Sequence, residues 1–508
     1  MAANILMITM GGTRSHKIPF LALGHGLLDR GHQVTLLSAF PPAGEAAGAA
    51  RNASQSIREV TPAALVFYVR NYTDWDLLGA RMRGEDPVSP AMMVRYGYEA
   101  CEALLSDPET WALVRSRPRP DLLVLDGAYP ECALGLAHRL RPAPFIYLNT
   151  VGFYTGSLSL AGNPAPFALT PFLGAAFTDR MGLLGRAANA AWHCAAQLLH
   201  AAMVHFFLQP VLRRHIGPSM PGVYELSRNV SFVLQNGHAV VSYPRAYLPN
   251  VAEVACIHCR APRPLPQELE EWVSGGAGGF VYVSMGSSVR AANMPAELRV
   301  LLADALGRLP FRVLWKWDGG APAPAHLPPN VRTGHWFPQQ DLLGHPRIRA
   351  FVTHGGLLSL HEAVHHAVPV VALPVFCDHD ANAAKAAADG YALRLELRAL
   401  SAQRLADAVQ RAVRDPRYRN AARERSVLLR DQPETPLQRA IYWSEYVIRH
   451  RGAEHLLSPA REMSLVQYFL LDVIALYAAA LVLLVVTAKR AVRLLLPSFV
   501  TAKKLKAQ

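Results

Sequence analysis

The sequence predicts an α/β fold: two Rossmann-like, doubly wound domains facing a cleft, then one C-terminal transmembrane helix. Three observations carry this reading. An apolar run, residues 4–10, breaks at Gly11-Gly12 and passes into a helical stretch, the opening of a parallel βαβ unit. The same strand–glycine turn pattern restarts at residues 279–288, beyond a proline-rich segment. Residues 469–488 then hold twenty residues with one charge, Asp472, near an end. As a helix they reach about 30 Å, one hydrocarbon core.

Composition bounds the alternatives. Of 508 residues, 51% are hydrophobic and 18% charged, which excludes a disordered chain, and six cysteines exclude a disulfide scaffold. The net charge is +13, and residues 489–508 contribute six basic residues and no acid. A basic tail directly after an apolar run points to a membrane and away from nucleic acid.

In chain order, residues 1–258 form the first domain. A second strand, residues 33–38, follows Gly31, and a later strand ends at Asp126 before a helical stretch. Residues 181–215 are apolar and helical in period but interrupted by Arg186, His193, His200 and His205, so they read as helices at a substrate face, not a second span. Pro262, Pro264 and Pro266 make 259–267 an extended linker. The second domain is 268–435, with strands near 280–284, 311–317, 348–353 and 368–374. Residues 436–467 return as helices to the first domain and the membrane, 468–488 span it, and 489–508 form the tail. The charges of Lys489, Arg490 and Arg493 place that tail in the cytosol and the body across the membrane. Such a body calls for a signal peptide, whereas residues 1–10 read as a first strand. Sequons at Asn52, Asn71 and Asn229 favour a translocated body.

The chemistry concentrates in residues 335–382. A strand ends at His354-Gly355-Gly356, and a helix follows with Ser359 in its first turn. Two glycines admit a ligand to the backbone, and a helix N-terminus offers free N–H groups and a positive dipole end, a site for a diphosphate. His354 can donate to the same group. Glu362, one turn on, suits a ribose diol; Trp336 offers a flat face for a base, and Gln339 a donor and acceptor for the nucleoside. Other spacings compete. His361-Glu362-Ala363-Val364-His365 fits the H-E-x-x-H zinc helix, but no third ligand stands at the usual spacing and Pro369 ends the helix early. Asp74-Trp75-Asp76 mimics a metal-holding D-x-D and reads as an exposed turn. Cys256-x-x-Cys259, without a second pair, reads as the structural edge of the linker.

The stretch resembles the donor-binding signature of the membrane-bound animal UDP-glycosyltransferases, with an arthropod flavour. The matching residues are Trp336-Phe337-Pro338-Gln339, Asp341-Leu342-Leu343, Thr353-His354-Gly355-Gly356, Glu362, Pro369, Pro374, Asp378 and Asn382. The match continues through Asp431-Gln432-Pro433, Arg439-Ala440, residues 449–452 and residues 471–474. The resemblance implies a GT-B type enzyme with a UDP-sugar between its domains and an inverting, single-displacement transfer. It implies His16, in the first strand-to-helix turn, as the base and Asp126 as the carboxylate that orients it. Ser284, Gly286 and Ser287 would shape the loop at the diphosphate. Asp378 and His379 would face the sugar, where the family commonly has Asp-Gln. That departure leaves glucose as the leading sugar, with glucuronic acid and galactose open. No metal or cofactor is implied, the UDP-sugar being a co-substrate. The partners implied are the UDP-sugar, a small lipophilic acceptor and membrane lipid, with a homo-oligomer left open. The implied location is the endoplasmic reticulum membrane, where Lys504 and Lys506 resemble a retrieval signal. A catalytically silent membrane partner of an active homologue and a zinc peptidase are the other classes weighed.

Overall fold

The computed structural model describes residues 2–42, 56–72, 75–152, 156–290, 293–318 and 326–505, with side chains to residue 494. Asn52 and Asp74, and the side chains of Lys504 and Lys506, lie outside the described residues. The chain divides into a body, residues 1–457, and a C-terminal unit, residues 458–508.

The body is built on two parallel sheets. The first has seven strands: β1 (Asn4–Thr9), β2 (Gln33–Ser38), β3 (Arg58–Val60), β4 (Leu122–Asp126), β5 (Phe145–Asn149), β6 (Phe232–Gln235) and β7 (Val251–Glu253). Their order is β3-β2-β1-β4-β5-β6-β7. The second has six: β8 (Phe280–Ser284), β9 (Arg312–Lys316), β10 (Val331–Gly334), β11 (Ile348–Thr353), β12 (Val370–Ala372) and β13 (Ala392–Arg394). Their order is β10-β9-β8-β11-β12-β13. Every pairing in both sheets is parallel. The central strands are nearly continuous apolar runs, such as residues 5–8, 122–125 and 280–283. All of these are buried or nearly so, as strands covered by helices on both faces must be.

Strand order reverses between β1 and β4 in one sheet and between β8 and β11 in the other. Helices leave such a point toward opposite faces, so a crevice opens outside the carboxyl ends of those four strands. The residues that follow β1, β4, β8 and β11 therefore stand at that crevice.

Two segments cross between the halves. Helix Leu77–Arg83, from the first half, buries Leu77 and Leu78 in a core with Met285, Val289 and Met294 of the second. Helix Pro436–Arg449 starts from a Thr435/Gln438 capping box and packs on the first sheet. There Trp443 stacks on Phe232 at 4.5 Å, and Ala440 and Val447 join the core of Ile5, Met7 and Phe20. The long apolar run becomes helix Leu183–Met203, a π-helical turn, then Gln209–Ile216. Asn189 and His193 tie it to the body by bonding Thr170, while Leu183, Leu184, Trp192 and Leu198 are exposed.

Two disulfides form, Cys101–Cys132 and Cys256–Cys259. The second bonds to each other two residues that the sequence reading treated only as the edge of the linker. The C-terminal unit carries helix Leu471–Leu505, whose stretch 471–494 is apolar, unburied and long enough to cross a membrane.

Candidate active site

At the first switch point, β1 ends at Thr9 and the chain turns through Gly11 and Gly12 into helix Arg14–Asp29, with His16 in its first turn. The ring folds back over the loop: a Cβ on Gly11 would lie 2.1 Å from His16 Cγ, so only glycine fits. Asp126 is the last residue of β4, the neighbour of β1. His16 Nδ1 and Asp126 Oδ2 are 2.9 Å apart. The carboxylate is 1% exposed and also accepts from Thr9 Oγ1 (3.0 Å), Thr150 Oγ1 (3.0 Å) and the Ala128 N–H (3.1 Å). Four donors fix the orientation of this buried acid. Holding Nδ1 in this way fixes the tautomer that leaves the lone pair on Nε2. Burial pulls the imidazolium pKa down, but Asp126, and Asp378 from the second half, more than offset it and hold His16 above its ordinary value. Tyr129 stands 5.7 Å from the His16 ring, and Tyr96, bonded to the Met10 carbonyl, stands 5.7 Å beyond it. The His16 ring therefore stands beside an aromatic wall.

At the second switch point, β8 runs into Ser284, Met285, Gly286 and Ser287, and β11 into His354-Gly355-Gly356. Gly286 and Gly355 have φ of +74° and +84°, the left-handed region that favours glycine. The His354 ring is gripped between two glycines: a Cβ on Gly286 would lie 2.4 Å from it, and one on Gly356 2.5 Å. Thr353 Oγ1 meets its Nδ1 at 3.1 Å. Burial, then His379 and Lys316, push His354 well below its ordinary pKa, so at neutral pH it is an uncharged ring with one N–H to give. Helix Leu357–His365 starts at Gly356 with no side-chain cap, leaving its first N–H groups open.

Trp336 is 68% exposed, with Lys316 Nζ 4.9 Å from its ring centre. Gln339 Nε2 donates to Glu362 Oε2 at 2.7 Å and to Ser359 Oγ at 3.1 Å. The other Glu362 oxygen accepts from His258 Nε2 at 3.1 Å. Asn382 Nδ2 donates to Asp378 Oδ2 (2.8 Å) and to the Gly355 carbonyl (3.1 Å), tying the two loops together. The His379 ring packs edge to face on His354 at 4.4 Å and is pushed down to about 3 by burial and by Arg81, so it too is neutral. Burial raises the Asp378 pKa, against Asn382 and His16.

The predicted residues thus fall at the two strand-end crevices of one body. Four others were not foreseen. Thr150 and Lys316 follow or end strands adjacent to the switch points, and the strand-end rule could have found them. Arg81 bonds Asp380 Oδ1 at 2.8 Å across the halves, and His258 lies under Glu362; neither has a sequence signal. Among the described residues His361 and His365 are not gathered into one ligand set. His361 is fully enclosed and both its ring nitrogens lack partners. Among the described residues the cluster with metal-ligand proximity is Cys256, Cys259 and His365, and its two sulfurs are bonded to each other.

Comparison with known proteins gives the family and the fold. A family model described as "UDP-glucoronosyl and UDP-glucosyl transferase" matches residues 69–506. UDP-glucosyltransferase 2 of Dactylopius coccus is 31% identical over 460 residues, covering 89% of this chain and 85% of its own length. UDP-glucuronosyltransferase 2B15 of Homo sapiens is 33% identical over 507 residues, covering 93% and 90%. Among solved structures, CalG4, the calicheamicin glycosyltransferase, superposes with a TM-score of 0.57 at 19% identity, over 89% of this chain and 99% of that one, a likeness of fold. With two parallel sheets in the GT-B arrangement, the chain belongs to the UDP-glycosyltransferase family and is a UDP-sugar-dependent glycosyltransferase.

Proposed function

We propose that the protein transfers a hexose, glucose before glucuronic acid or galactose, from its UDP-sugar to a hydroxyl of a small lipophilic acceptor, with inversion. The observation that carries this reading is the His16–Asp126 pair at one switch point with Asp378, from the other half, close enough to act on His16. Nε2 of His16 takes the proton of the acceptor hydroxyl. That oxygen forms the new bond to C1 as the C1–O bond to the diphosphate breaks and its electron pair leaves with UDP. The imidazolium so formed is stabilised by Asp126. The departing charge is met by the open N–H groups at Gly356, the N–H of His354 and the hydroxyl of Ser287, donors fixed before the reaction.

Trp336 stacks the uracil, Glu362 and Gln339 hold the ribose, and Asp378 and His379 read the sugar. Donor residues of these kinds serve a UDP-sugar as co-substrate without a resident cofactor. The aromatic wall beyond His16 suits a lipophilic acceptor. The sugar assignment rests on the match to a UDP-glucosyltransferase; His379, whose Nδ1 takes the Phe376 N–H, leaves one Nε2–H for the sugar where an amide would offer a donor and an acceptor. We place the protein in the endoplasmic reticulum membrane with its tail in the cytosol. Incubation with UDP-glucose, UDP-galactose and UDP-glucuronate, each with a lipophilic phenol and a steroid, tests the function. Mass spectrometry should find a hexosyl product that parent enzyme makes and His16→Ala does not. No product from any donor would overturn the reading.

A further inference from the structure

The turn after β7 carries a feature that the transfer reaction does not by itself use. Cys256 sits at φ +67°, where a residue with a Cβ is strained, and its disulfide to Cys259 closes the turn. The Ile257 N–H donates to the Val254 carbonyl at 3.0 Å, and the Cys259 N–H to the Cys256 carbonyl at 2.8 Å. His258 rides at the centre of this doubly constrained turn. Its side chain is 3% exposed, its Nδ1 has no partner, and its Nε2 meets Glu362 Oε1 at 3.1 Å.

The turn is also docked onto the donor site. Gln340 Nε2 donates to the His258 carbonyl at 3.1 Å, and the Gln340 side-chain oxygen accepts from the Arg260 N–H at 2.8 Å. Gln340 is the neighbour of Gln339, which donates to the other Glu362 oxygen at 2.7 Å. Glu362 therefore lies between two donors, one per carboxylate oxygen. Each oxygen keeps further accepting capacity, aimed by the two bonds already made. Such a carboxylate, largely removed from water, needs those donors to stay in one orientation.

We propose that His258 is a positioning residue for the donor site: its Nε2–H fixes the Glu362 carboxylate in the orientation that takes the ribose hydroxyls, and the Cys256–Cys259 turn holds His258 in place. The inference rests on Glu362 as the ribose ligand, and the test separates the two. The affinities of UDP and 2′-deoxy-UDP are measured by calorimetry for the parent, Glu362→Gln, His258→Leu and His258→Gln. His258→Leu should weaken UDP about tenfold, one charge-assisted hydrogen bond, and weaken 2′-deoxy-UDP much less. His258→Gln, which keeps an N–H of similar reach, should recover most of the loss. KM for the UDP-sugar should rise in His258→Leu with KM for the acceptor unchanged. If His258→Leu does not fold, His258→Asn replaces it, its amide being too short to reach Oε1. Equal losses for both nucleotides, or no loss while Glu362→Gln discriminates between them, would overturn the role of His258. If Glu362→Gln itself fails to discriminate, the ribose assignment is wrong instead.

Discussion

His16 and Asp126 lie 110 residues apart in the chain and 2.9 Å apart in the fold. The distance follows from topology: β1 and β4 are neighbours at the point where strand order reverses, and each residue follows or ends its strand there. The pair makes the first prediction. His16→Ala should lower transfer by about 10²–10⁴-fold, the usual contribution of a general base, while UDP affinity stays near that of the parent. The pH profile carries a sign. The free base acts, so acceptor kcat/KM rises as pH climbs through the His16 pKa, which lies above the ordinary imidazole value. In Asp126→Asn burial remains and the stabilising carboxylate is gone, so that limb should move to lower pH and the plateau should fall. A limb that stays in place in Asp126→Asn would separate the two residues.

Trp336 is a large ring left mostly in solvent, steadied by the Lys316 ammonium 4.9 Å from its centre. The proposed function gives this exposed indole the uracil to stack on. Trp336→Ala should cost about 1–3 kcal/mol in UDP binding through lost stacking. Calorimetry with UDP and with uridine should show similar losses, because the ring touches the base and not the phosphates. An unchanged uridine affinity would remove Trp336 from the nucleoside site.

What the sequence disclosed about the site has a physical pattern. The places of His16, Asp126, Ser284 and His354 are legible because each sits where an apolar run stops, and in a parallel sheet such stops gather at one edge; the roles given to them come from the family resemblance. In the glycine pairs only Gly355 has a left-handed φ; Gly11 and Gly356 are glycines because a Cβ there would strike a histidine ring. Contacts set by docking of distant segments are not legible. Arg81 reaches Asp380 because helix Leu77–Arg83 plugs into the other half, and no local pattern of residues 77–83 says so. His258 reaches Glu362 through a turn whose two cysteines looked like a linker's edge. Glu362 was read as open to a ribose and is found already bonded on both oxygens.

His379 replaces the more common Gln beside Asp378, and it is buried against His354 and Phe376. Its Nδ1 accepts from the Phe376 N–H, at 3.4 Å, so Nε2 is the nitrogen left for a sugar. A pKa pushed down to about 3 keeps the ring uncharged across the working range. His379→Gln should therefore change the ratio of rates among UDP-glucose, UDP-galactose and UDP-glucuronate without a new pH dependence. Identical ratios in parent and variant would show that this position does not read the sugar.

Gly356 has ordinary dihedrals, φ −62° and ψ 139°, so alanine there meets no backbone penalty. Its Cβ would nonetheless lie 2.5 Å from His354 Nε2, a direct collision. Gly356→Ala should displace the ring, cost about 1–3 kcal/mol in stability as an overpacked core does, and weaken UDP more than uridine. Gly355→Ala is the contrast. Its Cβ meets the His379 carbonyl at 3.2 Å, and its φ of +84° makes the cost mainly backbone strain. Thermal unfolding and calorimetry of both variants distinguish the two. Wild-type UDP affinity in Gly356→Ala would show that His354 is not held for the diphosphate.

The last prediction concerns the membrane. Residues 471–494 form an unburied apolar helix, and Lys489, Arg490 and Arg493 cluster toward its C-terminal end. Basic residues beside a span are retained on the cytosolic side. The body should then be lumenal, and Asn71 and Asn229, both exposed, should be open to glycosylation. In microsomes, protease without detergent should remove a tag at residue 508 and spare the body, and glycosidase should shift the mobility of the protein. Changing the three charges to Glu should reverse or mix the orientation, because the bias they supply is lost. A body digested without detergent, with Asn71 and Asn229 unmodified, would place it on the cytosolic side and reduce the apolar helix to an anchor facing the other way.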